Sequence, residues 1–131
     1  MAVLIDTSVL VGFERRRTPL EAVGGDEDRA ISVVTASELL HGVHRATDAH
    51  ARMRRHAFVE SLLARLQPIM ITMHIARAHA EIWARLEAQG TLIGAHDLWI
   101  AATALAHGMR VATVNARHFE RVPGLDVLPI S

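Results

Sequence analysis

Three acidic residues stand where short apolar runs give way to helices. Asp6 follows Val3-Leu4-Ile5, and Glu38 comes shortly after Ile31-Ser32-Val33-Val34. Asp97 opens the apolar stretch from Leu98 to Leu105. Carboxylates gathered away from water repel one another, and such a cluster persists either by raising a pKa or by holding a cation. An all-oxygen donor set suits a hard ion, so Mg²⁺ or Mn²⁺ is the natural guest. That ion would activate water and neutralise charge on a phosphodiester under in-line attack. Each acid also has a purely structural explanation. Asp6 can cap a helix, Glu38 can complete a capping box begun by Thr35, and Asp97 can favour the dipole at its helix start. Spacing alone leaves both readings open.

The elements that must position these residues alternate. Val3-Leu4-Ile5 reads as a strand buried on both faces, followed by a short helix over Val9 to Phe13. The polar segment from Glu14 to Asp28 reads as a loop with one helical turn around Leu20 to Val23. A second strand is expected over Ile31 to Val34, then a helix from Thr35 to about Arg45 and a longer one from Asp48 to Leu66, ended by Pro68. Ile69-Met70-Ile71 reads as a third strand. Met73 to Gln89 and Ala95 to His107 have helical periodicity, with Gly90 and Gly108 as stops. Val111 to Val114 is a fourth strand, and Val127-Leu128 a fifth at the edge before Pro129. This alternation implies a three-layer α/β/α domain over residues 1–131, with a central, mostly parallel sheet of four to five strands. Sites in such sheets form beyond the carboxyl ends of the strands. Asp6, Glu38, Asp97 and Asn115 all follow strands or open helices there.

Composition narrows the chemistry further. Half of the 131 residues are hydrophobic, and 14 acidic residues balance 14 basic ones, every one of them Arg. A neutral chain binds a polyanion only through a local patch or through bound cations. The absence of Lys argues against a phosphoacceptor receiver domain, and Ser8 stands where a haloacid-dehalogenase-type phosphatase has its second Asp. The absence of Cys excludes disulfides and thiolate metal sites. The N-terminus reads as a strand and no apolar run spans a bilayer, so a cytoplasmic protein is expected. Arg16 and Arg17, near Asp6 in sequence, are the candidates for RNA phosphates, with His96 and His118 beside the acids. Arg52, Arg54 and Arg55 read as a solvated face or a contact for an acidic partner. His41 and His44 lack a third metal ligand, and Trp83 and Trp99 read as core or dimer-interface residues.

Several blocks resemble the PIN-domain family, and more closely the VapC toxins of bacterial toxin–antitoxin pairs. These are Val3-Leu4-Ile5-Asp6-Thr7-Ser8, Ser37-Glu38-Leu39 with Gly42, Gly94-Ala95-His96-Asp97-Leu98-Trp99-Ile100-Ala101-Ala102, Thr113-Val114-Asn115-Ala116-Arg117-His118-Phe119, and Val122-Pro123-Gly124-Leu125. They run in the family's order over nearly the whole chain. The resemblance implies a magnesium-dependent endoribonuclease, usually a homodimer, neutralised by a cognate VapB-like antitoxin. It places the metal-binding acids on Asp6, Glu38 and Asp97, with Thr7 or Ser8 orienting Asp6 or the scissile phosphate and Thr113 at the edge of the site. Many family members carry a further acid after the fourth strand, where this chain has Asn115 and His118. One well-formed metal site is therefore expected. The missing acid also keeps open a non-catalytic module that binds an antitoxin and represses its own promoter.

Overall fold

The computed structural model describes residues 2–16 and 20–131. Arg17 lies outside the described residues, as does the side chain of Arg16. The chain runs β1 (Val3–Ile5), α1 (Thr7–Arg16), a 3₁₀ turn (Leu20–Ala22), β2 (Arg29–Ser32), α2 (Val33–Arg45), α3 (Ala49–Arg65) and β3 (Pro68–Ile69). It continues with α4 (Met73–Gln89), α5 (Ala95–His107), β4 (Arg110–Thr113), α6 (Ala116–Phe119) and β5 (Val127–Pro129). Five strands form one parallel sheet in the order β3-β2-β1-β4-β5. The chain leaves β1 toward one edge and later returns to its other side, so the strand order reverses between β1 and β4. That is where an open α/β sheet forms its crevice.

Period-two alternation sends successive side chains of a strand to opposite faces. Val3 and Ile5 accordingly join Ile31 and Ala112 beneath α1, α2 and α3, in a core that includes Leu10, Leu39 and Leu62. Leu4 and Val111 face the opposite way, into a core formed by Ile75, Ile82 and Leu86 of α4, Ile100 and Ala104 of α5, and Phe119. All three β1 residues are fully buried. The uncharged run of α5 is explained by this position, with Ile100, Ala101, Ala102 and Ala104 inaccessible to solvent.

Helix ends follow local chemistry. Asp48 and Thr72 cap α3 and α4 by accepting from Ala51 and Ile75 N–H groups, and Gly90 and Gly108 end α4 and α5 at φ of 67° and 64°. Several boundaries differ from the sequence expectation. Helix α1 begins at Thr7 and is longer than Val9 to Phe13. Strand β2 ends at Ser32, and Val33 and Val34 already belong to α2. Ser32, not Thr35, is the cap: its hydroxyl accepts from the Thr35 N–H. The expected capping box does not form, because Glu38 lies too far along the helix. Pro68 lies inside edge strand β3, and β4 ends at Thr113.

Among the described residues, no helix is long and apolar enough to cross a membrane. The indole of Trp99 stacks on His79 at 3.5 Å, and Trp83 meets that imidazole edge-on at 5.8 Å. Trp83 is nevertheless 49% exposed and so is not a core residue. Burial disfavours the imidazolium of His79 and holds its pKa below the ordinary histidine value. Unfolded His79 thus takes up a proton more readily than folded His79. Its contribution to stability is complete above about pH 6.5 and is lost as pH falls through the folded pKa. Thermal melts should show a larger acid-induced drop in Tm between roughly pH 6.5 and 5 for the parent than for His79→Gln; equal drops would refute this.

Candidate active site

Strand β1 delivers Asp6 to the carboxyl edge of the sheet, and the parallel register with β4 sets Ile5 beside Ala112. The Asp6 N–H donates to the Ala112 carbonyl at 2.9 Å. Thr113 is therefore the next residue along and stands against Asp6. The Asp6 side chain is only 3% exposed. Its Oδ2 accepts from Ser8 Oγ at 2.7 Å and from Thr113 Oγ1 at 2.8 Å. Both hydroxyls have their direction forced. Ser8 Oγ accepts from the Val114 N–H and Thr113 Oγ1 from the Asn115 N–H, while the carboxylate can only accept. Two oriented donors thus stand where water would otherwise solvate this buried group.

Glu38 reaches the same edge from α2. Thr7 Oγ1, at the start of α1, donates to Glu38 Oε1 at 2.7 Å. A hydroxyl has one proton, so in the 3.2 Å contact between Thr7 and Thr35 the donor is Thr35. Ser32 Oγ in turn donates to Thr35 Oγ1 at 3.3 Å. A chain of three hydroxyls, from Ser32 through Thr35 and Thr7, ends on the Glu38 carboxylate. Ser32 and Thr35 are fully buried and were not anticipated as site residues. In the sequence Thr35 carries only a capping pattern and Ser32 falls in the expected second strand, so neither marks this second task.

Asp97 sits in the first turn of α5. Burial pushes its carboxyl pKa above the ordinary value, and the negative charges of Asp6 and Glu38 raise it further. His118 opposes this, with Nδ1 3.7 Å from Asp97 Oδ2. His96 Nδ1 lies 3.4 Å from Glu38 Oε2. The structure therefore places both imidazoles against carboxylates at an exposed lip. Asn115 is exposed at the start of α6 and forms no side-chain cap there. Among the described residues no three acidic or imidazole side chains are drawn into closed metal-ligand geometry. The three carboxylates instead stand as electrostatic neighbours, each steadied by its own partners.

Comparison with known proteins gives a consistent pattern. A PIN domain model matches residues 3–125. Ribonuclease VapC1 of Rickettsia felis is 33% identical over 131 residues, covering 100% of this chain and 98% of the relative. Ribonuclease VapC4 of Mycobacterium tuberculosis is 35% identical over 127 residues, covering 97% and 95%. Among solved structures, VapBC2 from Rickettsia felis bound to a DNA fragment from its promoter superposes with a TM-score of 0.90 at 25% identity, with full coverage of both chains.

The repulsion at Asp97 has a definite thermodynamic sign. Folded Asp97 holds its proton to higher pH than unfolded Asp97, so stability falls as pH rises through the interval between the two pKa values. Replacing Asp97 by Asn removes the buried, repelled charge. In cation-free buffer at neutral pH, Asp97→Asn should therefore melt at a higher temperature than the parent. A lower Tm would show that the charge is stabilising where it stands.

Proposed function

The chain belongs to the PIN-domain family, and from that premise we propose that it is a divalent-metal-dependent endoribonuclease toxin of the VapC type, restrained by a cognate VapB-like antitoxin. The observation that carries the reading is geometric: Asp6 is oriented by Ser8 and Thr113, Glu38 by Thr7, and His96, next to Asp97 in the chain, reaches to 3.4 Å from Glu38, all where the strand order reverses. A stability-driven fold has no use for such a cluster, whereas a cation site requires one.

The donor set fits Mg²⁺ or Mn²⁺. It offers three carboxylates and no sulfur, and Mg²⁺ usually keeps several waters while using one or two carboxylates. A closed trio of ligands is therefore not required. When bound, the ion supplies a nucleophilic water and offsets charge on the phosphodiester. The chain's own residues do the rest. Asp6 and Asp97 would hold the ion, with Glu38 as the third acid. Ser8 and Thr113 fix the plane of the Asp6 carboxylate through Oδ2, and the hydroxyl chain from Ser32 fixes Glu38. His96 and His118, at the exposed lip, are placed to meet the RNA on its way to the acids. The family relationship also supports a homodimer.

A second reading is favoured by Asn115, which brings no charge where many relatives carry an acid, and by the promoter-bound complex among the structural neighbours. In that reading the chain serves chiefly as the antitoxin-binding half of a repressor.

Incubating purified protein with total RNA separates the two. Cleavage should require Mg²⁺ or Mn²⁺ and stop with EDTA. Asp6→Asn should be essentially inactive, and Thr113→Val, which removes one orienting donor, should lose about 10–100-fold. RNA left equally intact by parent and Asp6→Asn would favour the repressor. Because Asn115 is neutral, calorimetric titration with Mn²⁺ should show one dominant site. Two tight independent sites would contradict this account of the donor set.

A further inference from the structure

A groove of about 650 Å³ runs from Glu38 between α1, α2 and α3. Thr7, Glu38 and His96 line its inner end, and Arg15, Arg45 and Arg55 line it further out. On α2, Glu38, His41 and Arg45 are spaced by three and four residues, so they share one helix face. Arg45 lies about 10 Å along the axis from Glu38, at 1.5 Å per residue. The three arginines are not equivalent. Arg55 pairs with Glu14 at 3.4 Å and donates to the Gly42 carbonyl at 3.1 Å, which ties α3 to α1 and α2 and spends its charge. Arg15 and Arg45 are exposed and have no carboxylate partner among the described residues.

The helix dipole explains a cation in the last turn of α1 or of α2 taken alone. It does not explain why both line the same groove, and why that groove also holds Glu38 and His96. In a chain of zero net charge, two unneutralised guanidinium groups on this path are a local anion-binding feature. Guanidinium matches phosphate geometry through paired donors.

We propose that this groove carries the single-stranded RNA backbone flanking the cleaved bond, with Arg45 and Arg15 holding phosphates within about three nucleotides of it. The spacing follows from phosphates recurring every 3.4 Å along a duplex strand and farther apart when the strand is extended. The proposal rests on the ribonuclease reading and assigns the RNA contacts to residues other than Arg16 and Arg17. It also gives the antitoxin a surface to compete for.

The test uses the full chain and a fluorescein-labelled, mixed-sequence single-stranded RNA. In an Asp6→Asn background, which separates binding from cleavage, Arg15→Gln and Arg45→Gln should each weaken binding about three- to tenfold. Each should also lower the slope of log affinity against log salt by about 0.7. Arg77→Gln, at an exposed position of α4, should change neither. With Asp6 restored, the two variants should lower kcat/KM on the long RNA but leave a dinucleotide substrate, too short to span from the cleaved bond to Arg15 or Arg45, unaffected. Normal RNA binding and salt slope in both variants would overturn the proposal. So would weakened binding of the antitoxin alone, which would assign the groove to that partner. Failure of the ribonuclease reading looks different: the parent would then leave RNA uncut whatever the arginine variants do.

Discussion

Holding three carboxylates from separate elements at one partly buried edge of the sheet is the constraint on which the site depends. Asp6, Glu38 and Asp97 come from β1, α2 and α5, and nothing local holds them together. They meet because the parallel sheet reverses its winding between β1 and β4 and leaves a crevice at that edge. The strain is expressed at Asp97, which is partly buried and faces both other acids. Burial and the two neighbouring charges both disfavour the Asp97 carboxylate, so the edge concedes stability there.

The rest of the edge keeps the carboxylates in fixed orientations. Asp6 is restrained by Ser8 and Thr113, whose hydroxyls are themselves aimed by the backbone N–H groups of Val114 and Asn115. Glu38 is restrained by a hydroxyl chain that begins in the interior at Ser32. Neutral hydroxyls suit this work. They solvate a carboxylate without cancelling the charge that a cation needs, and their bonds are short enough to restrict rotation. The fully buried β1 and the apolar α5 give these bonds a rigid base.

Electrical neutrality across the whole chain conceals a division of labour. Most arginines are either paired, as Arg55 is with Glu14, or distributed over exposed helix faces. The acid edge and the adjoining groove separate the two signs over a short distance, with carboxylates inside and guanidinium groups farther out. Opposite potentials thus lie side by side on one surface of a neutral chain. Net charge therefore says little about what this chain binds.

Much of this was legible in the residue order. The helices Met73–Gln89 and Ala95–His107 were read to the residue, because long periodic runs bounded by Thr72, Gly90 and Gly108 leave little room for error. Asp6, Glu38 and Asp97 also stand out in the residue order as acids at strand and helix boundaries. Less legible were the short strands. Val33 and Val34 have the composition of a strand, yet the local cap from Ser32 to the Thr35 N–H starts a helix across them. Trp83 had the spacing of a core residue and is exposed, since periodicity identifies a face but not what covers it.

The sequence by itself determined which atoms were available: oxygen donors of one kind, no thiol, no lysine, and apolar segments of the right lengths for a parallel sheet. Only the tertiary structure decided which atoms meet. Thr113 and Asp6 are 107 residues apart and share a hydrogen bond of 2.8 Å, and the chain from Ser32 to Glu38 passes through α1 by way of Thr7. Helix and strand periods specify a side chain's direction over a few residues, whereas contacts at such separations depend on strand order and register, which no local pattern encodes.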